Sequence, residues 1–278
     1  MTHVAQQTMS TFETDVDAGT RFKFGENGHA FLRVLTPERI RIAETSLREM
    51  LGVEHLRGRT FLDVGSGSGL SSLAARNLGA TVYSFDFDPS SVACTRELRR
   101  RYHPDDASWQ IREGSALDTA LLASLGQYDV VYSWGVLHHT GYMWDALHNM
   151  VGLVKPGGIL FLALYNDQGR TSRHWRAVKR WYCAGGVERA VVLTLFLPYF
   201  CARVVLDSVL ARENLFATYQ KHRGMSIMHD WIDWLGGYPF EVARVDDIFH
   251  FYQRKGFTLT TLRTTSDLGN NQFVLVKR

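Results

Sequence analysis

Between residues 59 and 165, short apolar runs of β character alternate with runs of helical character, and this alternation constrains the fold more than any other feature. FLDV (61–64) reads as a strand. LSSLAARNLG (70–79) reads as a helix that stops at Gly79. TVYSFDFD (81–88) is a second strand, and PSSVACTRELRRRY (89–102) is a helix opened by proline. WQIREGSAL (109–117) holds a third strand, YDVVYSWG (128–135) a fourth and GILFLALY (158–165) a fifth. DALHNMVGLV (145–154) is the helix between the last two, and PGG (156–158) is the turn into the fifth strand. Such alternation predicts a parallel sheet with helices on both faces and right-handed crossovers. Ligands of such sheets lie beyond the carboxyl ends of the strands, where the strand order reverses.

Four zones follow. Residues 1–58 are polar, then helical, with Ile40, Ala43, Leu47 and Leu51 on one face. Residues 59–165 are the sheet core. Residues 166–240 break the alternation and are expected as a helical insertion over the sheet. Residues 241–278 resume it with a helix (242–256) and two strands (257–265 and 272–278) that finish the sheet as an antiparallel pair. The fold class is α/β: a Rossmann-like, doubly wound, mostly parallel seven-stranded sheet, with a helical N-terminal segment and a helical insertion after strand 5.

Within the insertion, residues 190–211 are strongly apolar but hold Pro198, Arg203 and Asp207. The charge-free part, Ala190 to Ala202, is 13 residues long, short of the ~20 that span a bilayer. A buried or capping helix pair broken at Pro198 is expected there. A lipid contact along the surface is the alternative. Cys94, Cys183 and Cys201 form no C-x-x-C pair, so no metal site or disulfide framework is expected. The net charge is +3, too small a surplus to predict a nucleic-acid partner. The polar N-terminus has no apolar core of signal-peptide length, and a cytoplasmic protein is expected. Oligomeric state is not readable.

The run Asp63-Val64-Gly65-Ser66-Gly67-Ser68-Gly69-Leu70 follows one strand and opens one helix, the context in which a glycine loop receives a ligand. Gly65 permits the tight turn, and Gly67 lets a ligand lie on bare backbone. Leu70 replaces the small residue that a dinucleotide loop prefers, which weighs against a nicotinamide cofactor. Asp86 ends the second strand 21 residues after Gly65, where a carboxylate accepts hydrogen bonds from ribose hydroxyls. Asp88 suits an N-cap. Asp63, inside an apolar strand, needs backbone donors or an ammonium group.

LDVGSGSG, FDFDP, YDVVYSWGVLHHT and LVKPGGILFLALYN together resemble the motifs of class I S-adenosylmethionine-dependent methyltransferases, in order and spacing, across residues 60–165. HDWIDWLGGYPFE and FKFGENG resemble a bacterial subgroup of that superfamily. The resemblance implies S-adenosylmethionine as cofactor, with Asp63, Gly65, Ser66 and Gly67 around its methionine portion. It implies Asp86 on the ribose and Phe87 against the adenine, which Ser115, Ala116 and Leu117 border. Ser115 or Asp118 would meet the adenine amine. Ser133 and Trp134 would line the sulfonium side.

Methyl transfer from a sulfonium needs an aligned nucleophile, exclusion of water and sometimes a base. His138 and His139, after the fourth strand, are the candidate bases, because an imidazole there can titrate near neutral pH. Tyr165 and Asn166 at the end of the fifth strand, and His229, Trp231 and Tyr238, are candidate acceptor contacts. WIDWLGGYPF (231–240) would wall a pocket for a flat or apolar acceptor. RFKFGENGHAF (21–31) would fold over the cofactor as a lid. The basic stretch from Arg170 to Arg180 reads as a solvated face, with Trp175, Val178 and Tyr182 packing inward. The activity expected is methyl transfer to an oxygen or nitrogen of a small molecule. A lipid or quinone-type acceptor, or a non-catalytic cofactor-binding protein, is the alternative.

Overall fold

The protein is seen in a computed structural model that describes residues 11–211, 227–266 and 268–278. Seven strands form one sheet: β1 (Thr60–Val64), β2 (Thr81–Asp86), β3 (Trp109–Glu113), β4 (Tyr128–Trp134), β5 (Val154–Tyr165), β6 (Phe257–Arg263) and β7 (Asn270–Lys277). Their order is β3-β2-β1-β4-β5-β7-β6. All pairs among β1 to β5 are parallel, and β7 runs antiparallel to both neighbours. The order reverses between β1 and β4, so a crevice opens at their carboxyl ends.

Helices cover both faces. On one side lie α2 (Gly25–Val34), α3 (Pro37–Leu51), α4 (Leu70–Asn77) and α5 (Pro89–Tyr102). There Ile40, Leu47, Leu73 and Leu98 pack on Phe61, Val82 and Val130. On the other side lie α6 (Thr119–Leu125), α7 (Met143–Leu153) and α11 (Val245–Gln253). There Leu122, Leu147, Ile248 and Tyr252 pack on Leu62, Val131 and Leu160. Phe61 and Leu62 serve opposite faces, which is why the strands read as unbroken apolar runs. A short α1 (Phe12–Asp17) precedes the rest.

Three further helices, α8 (Arg170–Ala184), α9 (Gly186–Ala211) and α10 (Ile227–Gly236), follow β5. They hold a third cluster around Val178, Tyr182, Cys183, Val192 and Leu235. The expected helix pair at 190–211 is instead one 26-residue helix with Pro198 inside it. The carbonyl whose helical partner Pro198 removes belongs to Thr194, and both residues are exposed, so the lost bond leaves no buried group unpaired. Nor is α9 buried: Val192 alone among its residues is. PGG is not a turn before β5 but lies inside it, with Gly157 at φ +73°. Helix α6 has no strong apolar period and announces itself only by its cap, where Asp118 Oδ1 accepts from the amides of Ala120 and Leu121, both at 3.0 Å.

Candidate functional site

The glycine loop is shaped by β1 and β2 together. The amides of Gly65 and Ser66 both donate to the Phe85 carbonyl, at 2.9 and 3.1 Å. Gly65 has φ +80°, and a Cβ there would lie 2.3 Å from Val136. Gly67 has φ +53° and nothing within 4 Å of where a Cβ would stand. That open space is the crevice, about 440 Å³, and the bare main chain of the loop forms one wall.

Asp86 is half-buried at the end of β2. Its Oδ2 accepts from Gly67 N at 2.8 Å and its Oδ1 from Asp88 N at 2.9 Å. Burial raises its pKa to about 6, against the pull of those amides. Asp88 caps α5 through Ser90 N at 2.8 Å and also accepts from Gly25 N at 2.7 Å, which docks the N-terminal segment here. Asp63 is buried, accepts from Ser72 Oγ, and lines the crevice. Ser72 continues to Ser84 Oγ at 2.7 Å, which accepts from Trp109 Nε1 at 2.9 Å. Burial raises the Asp63 carboxyl to about 7. A buried acid with one hydroxyl donor is a receptor for a cationic group.

The crevice wall includes Asp63, Gly65, Ser66, Gly67, Asp86, Phe87, Ser115, Ala116, Leu117, Trp134 and His139. Asp118 is spent on capping α6. Ser133 is turned away: it is buried and donates to the Val64 carbonyl at 2.9 Å, tying β4 to β1. A strand's alternation puts successive side chains on opposite faces, so Ser133 and Trp134 cannot both face the ligand.

The N-terminal side adds Phe12, Arg21, Phe22, Phe24 and Phe31 to the wall, the last four from the segment 21–31 expected as a lid. Arg21 donates to Asp15 at 3.1 Å and to the His139 carbonyl at 3.0 Å, and its guanidinium lies 4.9 Å from the Phe87 ring. Phe12 meets Phe87 edge-on at 5.8 Å. Phe12, outside 21–31, carried no signal in the sequence.

The two histidines differ. His139 Nδ1 lies 2.6 Å from the Pro239 carbonyl. A carbonyl only accepts, so Nδ1 carries the proton and Nε2 keeps its lone pair. Phe24 packs on the His139 ring at 4.8 Å. His138 is buried below, off the crevice wall, with Nδ1 accepting from Tyr165 N at 3.3 Å and Nε2 unpartnered among the described residues. Neither imidazole titrates near neutrality as expected. Burial lowers His139 to about 3 and His138 well below its usual range.

The other acceptor candidates do not reach the crevice wall. Asn166 bridges to Thr265 and Asn271 at the β5–β7 end. Tyr165 stacks between His138 at 4.1 Å and Phe240 at 5.1 Å. Trp231 is buried, 5.5 Å from Phe200. Tyr238 packs against the third cluster. His229 stands on α10, and its side chain lies outside what the structure describes. The segment 231–240 therefore packs the insertion onto the core, and none of its residues is on the crevice wall. Lys179, expected on a solvated face, is buried there, with its ammonium 4.0 Å over Trp234 and its pKa lowered to about 7 by burial.

Residues 62–160 match the family model described as a methyltransferase domain. Over those residues, which run from β1 into β5, the chain is similar to a methyltransferase domain, and its seven-stranded sheet has the Rossmann-like fold of such domains. Among curated relatives, the chain is similar to a tRNA U34 carboxymethyltransferase of Pseudoalteromonas translucida, 33% identical over 186 residues, covering 64% of this chain and 54% of the relative. It is also similar to a ubiquinone biosynthesis O-methyltransferase of Methylobacterium sp., 28% identical over 124 residues, 45% of this chain and 48% of the relative. The chain spans about half the length of these relatives. Magnesium protoporphyrin IX methyltransferase from Synechocystis PCC 6803, solved with bound SAH, superposes with a TM-score of 0.52 at 15% identity, over 98% of this chain and 90% of that one. At that identity the likeness is one of fold.

Proposed function

We propose that the protein transfers a methyl group from S-adenosylmethionine to an oxygen or nitrogen of a small-molecule acceptor. One juxtaposition carries the reading: the Gly67 cradle and Asp86 share a crevice with His139, whose Nε2 lone pair is free. In this reading Asp86 accepts the ribose hydroxyls, and Phe87 and Ser115–Leu117 border the adenine. Asp63 takes the amino group of the methionine portion beside Gly65 and Ser66, and Trp134 stands on the sulfonium side. The bound cofactor supplies a methyl activated by positive sulfur. The chain's own work is to hold the acceptor in line, exclude water with Phe12, Phe22 and Phe24, and orient the acceptor's nucleophile by a hydrogen bond to His139 Nε2, whose imidazole burial keeps from holding a proton near neutrality; the proton leaves to solvent with the product.

An apolar acceptor of lipid or quinone type is the version favoured by the aromatic wall of Phe12, Phe22, Phe24 and Phe31. The test is a cell extract labelled with methyl-tritiated cofactor. The expected label is in a small, solvent-extractable product. Label in RNA would replace the small-molecule reading with that of the tRNA relative. Cofactor binding without transfer would leave a non-catalytic binding protein, and NADH binding in its place would discard the reading entirely.

A further inference from the structure

Helix α9 does not suit water. It is long and apolar enough to cross a membrane by length and composition. One face is used: Val192, Phe196 and Phe200 pack with Trp175, Val178 and Leu235. The opposite face shows Val187, Val191, Leu195, Tyr199, Leu206 and Leu210, all exposed and close to the four-residue spacing of one stripe. A soluble face of this length would be polar.

The charge around it is one-sided. Residues 170–211 hold seven basic side chains and two acidic ones, a surplus of five in a chain whose whole surplus is three. Arg173 and Arg180 are exposed on α8, which has no acidic residue. Asp207 pairs with Arg203 at 3.2 Å within α9 itself.

We propose that α9 lies along the surface of an anionic lipid bilayer, its apolar stripe in the acyl boundary and the α8 arginines on the headgroups. An apolar helix face next to a helix whose charges are all basic is the composition of an interfacial segment. Spanning is disfavoured because the other face is committed to the cap. The 13-residue charge-free run also reaches only about 20 Å at 1.5 Å per residue. A second copy across a two-fold axis would set arginine-rich surfaces against each other. The surface connects to the crevice through Phe22, which packs in the cap cluster and also lines the crevice.

The test is flotation of the full chain with phosphatidylcholine vesicles, with and without phosphatidylglycerol, at low and high salt. Binding should be at least about tenfold stronger to the anionic vesicles and should weaken with salt. The variant Leu195→Asp/Leu206→Asp/Leu210→Asp should lose about tenfold or more of that binding, with cofactor affinity by calorimetry unchanged. Arg173→Glu/Arg180→Glu, on the solvated face, should lose the anionic preference and keeps the test decisive if the leucine variant fails to fold. No vesicle binding, or equal binding by both variants, overturns the proposal. So does a dimer in sedimentation that the leucine variant dissolves. Cofactor affinity on the same samples reads the methyltransferase proposal separately.

Discussion

Asp86 holds two backbone amides and still has lone pairs for a ligand's hydroxyls. Asp86→Ala should weaken S-adenosylmethionine binding more than about tenfold, the size of a lost charge-assisted pair of about 1.5–3 kcal/mol; calorimetry on the folded variant checks it. Asp63 and Asp86 have carboxyls raised to about 7 and about 6, so below those values each binds a proton that a cationic ligand must displace. Affinity should therefore rise from about pH 5 to about pH 8, with protons released on binding. Calorimetry in two buffers of different ionisation heat reads the release, and a flat profile would refute it. His139→Ala should keep cofactor affinity within about threefold and lower turnover by about tenfold, the size of one lost orienting hydrogen bond of about 1.4 kcal/mol. His138→Ala should instead lower stability, because it empties a buried position off the crevice wall. The residue types at these positions were legible in sequence. Which histidine faces the crevice was not, since that depends on the Pro239 carbonyl, 100 residues away.

Elements of the core followed the periodicity closely, because β1 to β5 are sandwiched and their apolar runs admit few other readings. The N-terminal segment did not. Its position rests on side-chain ties to distant backbone, with Arg21 on the His139 and Thr140 carbonyls and Gly25 N on Asp88. Arg21→Ala removes the donor and leaves a part-buried carbonyl short of a partner, a cost of about 1–3 kcal/mol. The expected result is faster proteolysis within residues 11–24 and weaker cofactor binding, both restored toward normal by Arg21→Lys. Unchanged proteolysis would mean that the phenylalanine contacts alone hold the segment. Helix α9 was misjudged for a related reason: an apolar run is equally a core helix, a cap or a membrane contact, and only its surroundings tell them apart.

At the scale of the molecule, a ligand seated between β1, β2 and the N-terminal segment should stabilise the whole chain. At 100 times its Kd a ligand adds about 2.7 kcal/mol, which for a chain of this size should raise Tm by about 5 °C. A thermal melt with and without S-adenosylmethionine measures it, and the shift should vanish in Asp86→Ala. The alternation of short apolar runs and helices was enough to determine a parallel sheet and the loop and acid at its carboxyl edge, because each follows from local period and spacing. The tertiary structure alone decided the rest. It set the tautomer of His139, the burial of Lys179, the turning away of Ser133, the closing of the crevice by Arg21 and the aromatics, and the exposure of α9. Each depends on contacts between segments far apart in the chain, which no local pattern encodes.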